Sequence, residues 1–123
     1  MSVYAIIQAR MGSSRLPGKA MMDIVGKPAI WHLMYQLTYS KSIDNIILAT
    51  TNKKVDDQLY EYAAGQKWNV YRGSENDVLD RYYQAALNSG SKENDAIVRI
   101  TGDDILVDPE IVDQLIKIYI NNY

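Results

Sequence analysis

Along the chain, the apolar residues alternate between the continuous runs of buried strands and the three-to-four-residue spacing of helices. Val3 to Gln8 reads as a buried strand. Residues 9–19 contain Gly12, Pro17 and Gly18 and read as a loop in which no helix opens. Lys27-Pro28 is expected to open a helix, with Pro28 at the favoured first position and Ile30, Leu33, Met34 and Leu37 on one face. Asn45 to Thr50 is a second buried strand. Asn52 is placed to cap a helix carrying Val55, Leu59, Tyr62 and Ala63, which Gly65 ends. Asn69 to Arg72 is a short strand. Ser74 then caps a third helix, with Asp77 at the capping-box position and Val78, Leu79, Tyr82 and Ala86 toward the core. Ala96 to Ile100 is a fourth strand, and Asp108-Pro109 starts the last helix.

This order, β-α-β-α-β-α-β-α, predicts an α/β fold: a parallel sheet with helices on both faces. In such sheets ligands bind outside the carboxyl ends of the strands. Two loops leave strand carboxyl ends with unusual chemistry, residues 8–19 and 101–108, and their convergence would make one active site.

Composition narrows the options. The 123 residues suit one domain, and 47% hydrophobic with 23% charged residues is the balance of a globular protein. A net charge of −2 gives no global pull toward nucleic acid or an anionic membrane. There is no cysteine and one histidine, which excludes disulfides, thiolate metal sites and multi-histidine centres. No run approaches the ~20 apolar residues of a membrane span, and the short run Val3 to Ile7 is no signal peptide, so a cytoplasmic location is expected. His32, beside an apolar stripe, reads as a packing or surface residue; Trp31 and Trp68 read as packing; Tyr35, Tyr62 and Tyr82 fall near helical core positions. Asp80 and Arg81 read as pairing with each other or with neighbouring turns.

The first loop, Gln8-Ala9-Arg10-Met11-Gly12-Ser13-Ser14-Arg15-Leu16-Pro17-Gly18-Lys19, holds three cations in its last ten residues and no acid. Gly12 and Gly18 allow close approach of the backbone, and Ser13 and Ser14 add donors. Arg10 and Arg15 can fork onto phosphate oxygens, and Lys19 acts as a point charge. It is not a Walker A loop, because five residues separate Gly12 from Gly18 and Ala20 follows Lys19. In the second loop, Asp103 and Asp104 lie behind Gly102 at a strand end, where a carboxylate suits Mg²⁺ shared with phosphate. Asp108, before Pro109, is placed as an N-cap.

The first loop resembles the opening of the CMP-sugar-acid synthetases, the sialic acid and KDO cytidylyltransferases, and is most similar to the spore coat polysaccharide F-type subgroup. Three more segments resemble that subgroup: Ala49-Thr50-Thr51-Asn52, Tyr71 to Tyr82, and Val98-Arg99-Ile100-Thr101-Gly102-Asp103. The resemblance implies a Rossmann-like nucleotidyltransferase fold that joins CTP to a sugar acid with Mg²⁺ and releases pyrophosphate. It puts Arg10, Arg15 and Lys19 on the triphosphate, the backbone of Gln8 and Ala9 at the base, and Asp103 on the metal. Gly12, Ser13, Ser14, Gly18 and Thr101 join the nucleotide contacts, and the segment from Gly73 and Ser74 to Arg81 completes the base and sugar pocket. Family members are longer, and their further part helps to hold the acceptor, a second metal carboxylate and the contacts of a homodimer. Residues 1–123 are therefore expected to be an N-terminal, nucleotide-binding part. Asp104-Ile105 departs from the usual residues after the metal aspartate. A sugar-1-phosphate or molybdopterin-type nucleotidyltransferase, or a nucleotide-binding domain without catalysis, remain the alternatives.

Overall fold

A computed structural model describes residues 1–12, 18–102 and 107–122. Four parallel strands form the main sheet: β1 (Val3–Gln8), β4 (Asn45–Thr51), β5 (Asn69–Gly73) and β6 (Ala96–Thr101), in the order β5-β4-β1-β6. Between β1 and β4 lie a small antiparallel pair, β2 (Asp23–Ile24) and β3 (Lys27–Pro28), and helix α1 (Ala29–Leu37). Helices α2 (Asp57–Gly65), α3 (Val78–Asn88) and α4 (Pro109–Asn121) follow β4, β5 and β6.

The strands form where apolar runs permit burial on both faces. Val3 to Ile7 and Ile47 to Thr51 are all buried, as a central parallel strand requires. One face of the sheet carries Ala5, Ile7, Leu48 and Ile100 against Ile30, Leu33, Met34 and Leu37 of α1 and Leu59 and Ala63 of α2. The other carries Tyr4, Ile6, Ile47 and Ala49 against Tyr82, Ala85 and Ala86 of α3. The predicted α/β sandwich is thus the observed one. Among the described residues no helix is long and apolar enough to cross a membrane.

Four local expectations are corrected. A 3₁₀ turn, Lys19–Met21, does open at the end of the first loop, capped by Gly18 at φ 77°. Pro28 is the extended N-cap residue of α1 and the last residue of β3, one position earlier than expected. The unpredicted hairpin closes over Val25 and Gly26, both at positive φ (51° and 85°), as a tight two-residue turn demands. Asn52 caps nothing: α2 begins at Asp57 after a 3₁₀ turn over Lys54–Asp56, and Val55 is exposed.

A further correction bears on the site. Asp77, not Ser74, caps α3, accepting the Asp80 N–H at 2.9 Å. Val78 and Leu79 point outward, 43% and 67% exposed, and the core stripe is Arg81, Tyr82, Ala85 and Ala86. Tyr35 is also largely exposed, stacked on Trp31 at 4.8 Å. His32 Nε2–H donates to Ile24 O at 2.6 Å, which ties α1 to the hairpin. Asp108 caps α4 as expected, accepting the Glu110 N–H at 2.9 Å. A groove of about 450 Å³ runs between β6 and α4, lined by Ile97, Arg99, Val112, Leu115, Ile116 and Tyr119.

Candidate active site

The register brings the strand carboxyl ends level. Gln8 lies beside Ala49 on one side and Thr101 on the other, and Thr51 lies beside Gly73. Four segments therefore leave the sheet along one edge.

The first of them is anchored before it becomes a loop. Ala9 N–H continues the ladder to Ala49 O at 3.1 Å. Met11 N–H then donates to Asp56 Oδ1 at 2.6 Å. Asp56 is 1% exposed, and its other oxygen accepts the Thr51 hydroxyl. Both carboxylate oxygens are thus engaged, one with the β1 loop and one with the β4 end. The loop is closed at its far side by Gly18 N–H to Met11 O at 2.9 Å, and Gly18 supplies the left-handed turn this needs. Within that closed base, Arg10 Nη1 donates to Gly12 O at 3.1 Å, and half-buried Lys19 opens the 3₁₀ turn. Ser13, Ser14 and Arg15 lie outside the described residues.

The second loop meets the first directly. Gly102 N–H donates to Gln8 O at 2.7 Å. A Cβ at Gly102 would fall 2.7 Å from Ala9 Cβ and 2.9 Å from Gln8 O, inside any tolerable contact. Only glycine lets the two segments touch here. Tyr82 hydroxyl donates to Ile100 O at 3.3 Å, and the Arg99 guanidinium lies 5.1 Å over the Tyr82 ring, so α3 supports the end of β6. Asp103, the candidate metal ligand, and Asp104 lie outside the described residues. Among the described residues no three acidic, histidine or cysteine side chains cluster as a metal site.

The β5 end adds a third wall. Asn52 N–H bonds to Gly73 O at 3.0 Å. At Gly73 a Cβ would meet the Tyr71 ring at 2.8 Å and Arg81 Cγ at 3.3 Å. Arg81 is fully buried beneath this turn, and its Nη1 donates to Ser74 O at 2.7 Å. Burial lowers the Arg81 guanidinium below its ordinary value, and repulsion from Arg10 adds to this; Tyr82, Asp56 and Glu75 act in the opposite direction. Of the two pairings expected for Asp80 and Arg81, the one with neighbouring turns is formed: Arg81 meets Ser74 O, and Asp80 meets Gln84 at 3.5 Å.

Of the residues singled out from the sequence, the described ones gather on this edge. Gln8, Ala9 and Thr101 sit side by side, Arg10 and Gly12 rise from β1, Gly18 and Lys19 close the loop, and Gly73 and Ser74 flank it from β5. Sequence reasoning missed Asp56, and it named Arg81 without its burial. For Arg81 a signal existed: it recurs with Tyr82, Ala85 and Ala86 on one helical stripe. For Asp56 none did, since its partners Met11 and Thr51 are distant in sequence or on a strand end.

Residues 4–123 match the family model described as cytidylyltransferase. The spore coat polysaccharide biosynthesis protein SpsF of Bacillus subtilis (strain 168) is 38% identical over 119 residues, covering 94% of this chain and 48% of that protein. A cytidylyltransferase structure from Leptospira borgpetersenii serovar Hardjo-bovis (strain JB197) superposes with a TM-score of 0.90 at 37% identity, covering 99% of this chain and 50% of the other. CMP:2-keto-3-deoxy-manno-octonic acid synthetase, solved in complex with CTP, superposes with a TM-score of 0.78 at 27% identity, covering 95% of this chain and 46% of the other. The chain spans about half the length of the relatives it matches.

Proposed function

The chain belongs to the cytidylyltransferase family, and from that premise we propose that it forms the nucleotide-binding part of an enzyme activating a sugar acid with CTP for surface polysaccharide synthesis in the cytoplasm. The observation that carries the reading is the 2.7 Å bond from Gly102 N–H to Gln8 O. It joins the cationic loop to the segment that leads to Asp103.

In this reading the backbone of Gln8 and Ala9 faces the base, with Thr101, Gly73 and Ser74 around it. Arg10, Arg15 and Lys19, helped by the donors of Gly12, Ser13, Ser14 and Gly18, take the triphosphate. A hydroxyl of the sugar acid attacks the α-phosphorus in line, a P–O bond to the sugar forms, and the bond to the β-phosphate oxygen breaks. The charge released onto pyrophosphate is met by the three cations, so that catalysis is positioning and electrostatic stabilisation. Mg²⁺, held by Asp103 and phosphate oxygens, would withdraw charge from the reacting phosphate. The acceptor site, a second metal carboxylate and homodimer contacts belong to the longer protein in the same reading.

Thermal unfolding with CTP, UTP, GTP and ATP, each with and without Mg²⁺, tests it. Ligand at about 100 times its dissociation constant should add ~2.7 kcal/mol, which for this size is a shift of several degrees. A shift with CTP and Mg²⁺ that Lys19→Ala removes is expected. A larger shift with another nucleotide would replace the substrate. CTP binding by a full-length protein that releases no pyrophosphate would instead favour a binding domain without catalysis.

A further inference from the structure

Among the described residues two charged side chains are wholly buried, Asp56 and Arg81, and their situations differ. Asp56 has a partner on each oxygen. Arg81 has one partner, Ser74 O on Nη1, while Nε and Nη2 meet no acceptor among the described residues. Those two nitrogens share one edge of the guanidinium, the edge that meets a phosphate or carboxylate side-on with two parallel N–H bonds. Among the described residues no carboxylate forms an ion pair with Arg81.

Charges of both signs lie near that edge. Arg10 repels Arg81 from the β1 loop; of the groups that offset it, Asp56 is already committed to Met11 and Thr51, and Glu75 acts through its charge alone. Tyr82, the other neighbour, is neutral at ordinary pH, since burial raises its hydroxyl above the usual value. Gly73 leaves the Arg81 stem its place, because a Cβ there would press on Tyr71 and on that stem. A buried cation with an idle bidentate edge, beside a second cation, is stabilised by an anion.

We propose that Arg81 is a phosphate-binding residue of this site, its Nε and Nη2 donating together to one phosphate group of the bound nucleotide opposite Arg10. The identity of the anion as a nucleoside triphosphate rests on the function proposed above; the seat itself rests on the geometry. The alternative is a purely structural arginine that holds the Ser74 turn through Nη1.

Titration calorimetry of the chain with inorganic pyrophosphate, with CTP and with cytidine separates these. Wild type, Arg81→Gln and Arg81→Lys are compared, each checked for cooperative melting. Loss of a bidentate charged contact is expected to weaken pyrophosphate and CTP about tenfold or more in Arg81→Gln, and to leave cytidine unchanged. Arg81→Lys, which keeps charge but not the fork, should recover only part of the loss. A folded Arg81→Gln chain that binds pyrophosphate and CTP like wild type overturns the seat while the cytidylyltransferase reading stands. Pyrophosphate binding that depends on Arg81, without selective CTP binding, keeps the seat and sinks that reading. A wild-type chain that binds neither phosphate ligand overturns both. If the variants do not fold, the ¹⁵N signal of Arg81 Nε–H in the wild type decides: it moves on adding pyrophosphate if the edge takes phosphate, and stays if it does not.

Discussion

At the amino-terminal end of the sheet, Asp44 and Asp95 each take a backbone N–H that the strands leave unpaired; at the carboxyl end, Arg81 and Thr50 hold buried polar groups with no partner among the described residues. The pairing at the first end is reciprocal. Val3 N–H donates to Asp44 Oδ2 at 2.7 Å while Asp44 N–H returns to Val3 O at 2.9 Å. Ser2 N–H donates to Asp95 Oδ1 at 2.9 Å, and Lys92 N–H to its other oxygen at 2.8 Å. Asp113 of α4 does the same for the Ser40–Ser42 turn, through the Ser40 hydroxyl and the Lys41 and Ser42 N–H groups. Polar groups there are used up in holding the chain. At the other end the fold buries a guanidinium edge and a hydroxyl without spending them, and keeps two glycines where a Cβ would collide. Buried polar groups are nearly always paired, so the unpaired set is an exception, one that the proposed nucleotide would resolve.

The contrast is broken most severely at Asp56, a carboxyl-end group that behaves like scaffold. Asp56→Ala strands the Met11 N–H and the Thr51 hydroxyl, at about 1–3 kcal/mol for each buried donor left unmade. The urea midpoint should fall with its slope unchanged. A near-wild-type midpoint would mean that Asp56 does not hold the first loop. Gly102→Ala comes next: with its Cβ 2.7 Å from Ala9 Cβ, the two loops must part, at about 1–3 kcal/mol, and CTP affinity should drop with stability. Unchanged affinity in a folded Gly102→Ala chain would separate the Gln8–Gly102 contact from binding.

The smallest effect belongs to the amino-terminal end and shows only in acid. The Ser2 and Lys92 N–H groups hold the Asp95 carboxyl below its ordinary 3.8. The unfolded chain therefore takes up this proton first, and the stabilisation, full above 3.8, is lost as pH falls through the lower folded value. Melting temperatures should decline more steeply below that pH in wild type than in Asp95→Asn. Parallel acid limbs would show that Asp95 contributes nothing through its charge.

Much of this was legible in sequence, and the reasons for success and failure are local. Apolar runs such as Val3 to Ile7 can only be satisfied inside a parallel sheet, and they landed there. Asp108-Pro109 marked a helix start because its cap is made two residues away. Asn52 misled because Asp56 and Thr51 use their side chains across the fold, which displaces the start of α2. Val78 and Leu79 misled because their apolar character was read as burial. The charge at Arg81 read as a pairing partner for Asp80 or a neighbouring turn, and its burial on the inward stripe was not read. The cationic loop was visible as composition; the base that closes it, Met11 to Gly18 and Asp56, was not, since each bond joins residues that no short window contains together.

The strand order carries one more consequence, for the moment of synthesis. β1 is flanked by β4 and by β6, and the bond from Ser2 to Asp95 spans 93 residues. Helices form in about a microsecond, but this flank must wait for its partner to exist. At ~5–20 residues per second, β1 has left the ribosome's catalytic centre some 5–20 s before Ala96 is joined. For that interval the strand that carries the cationic loop is an open edge with unpaired N–H and C=O groups. Its errors would be mispairings made during translation, invisible to any measurement on the finished chain.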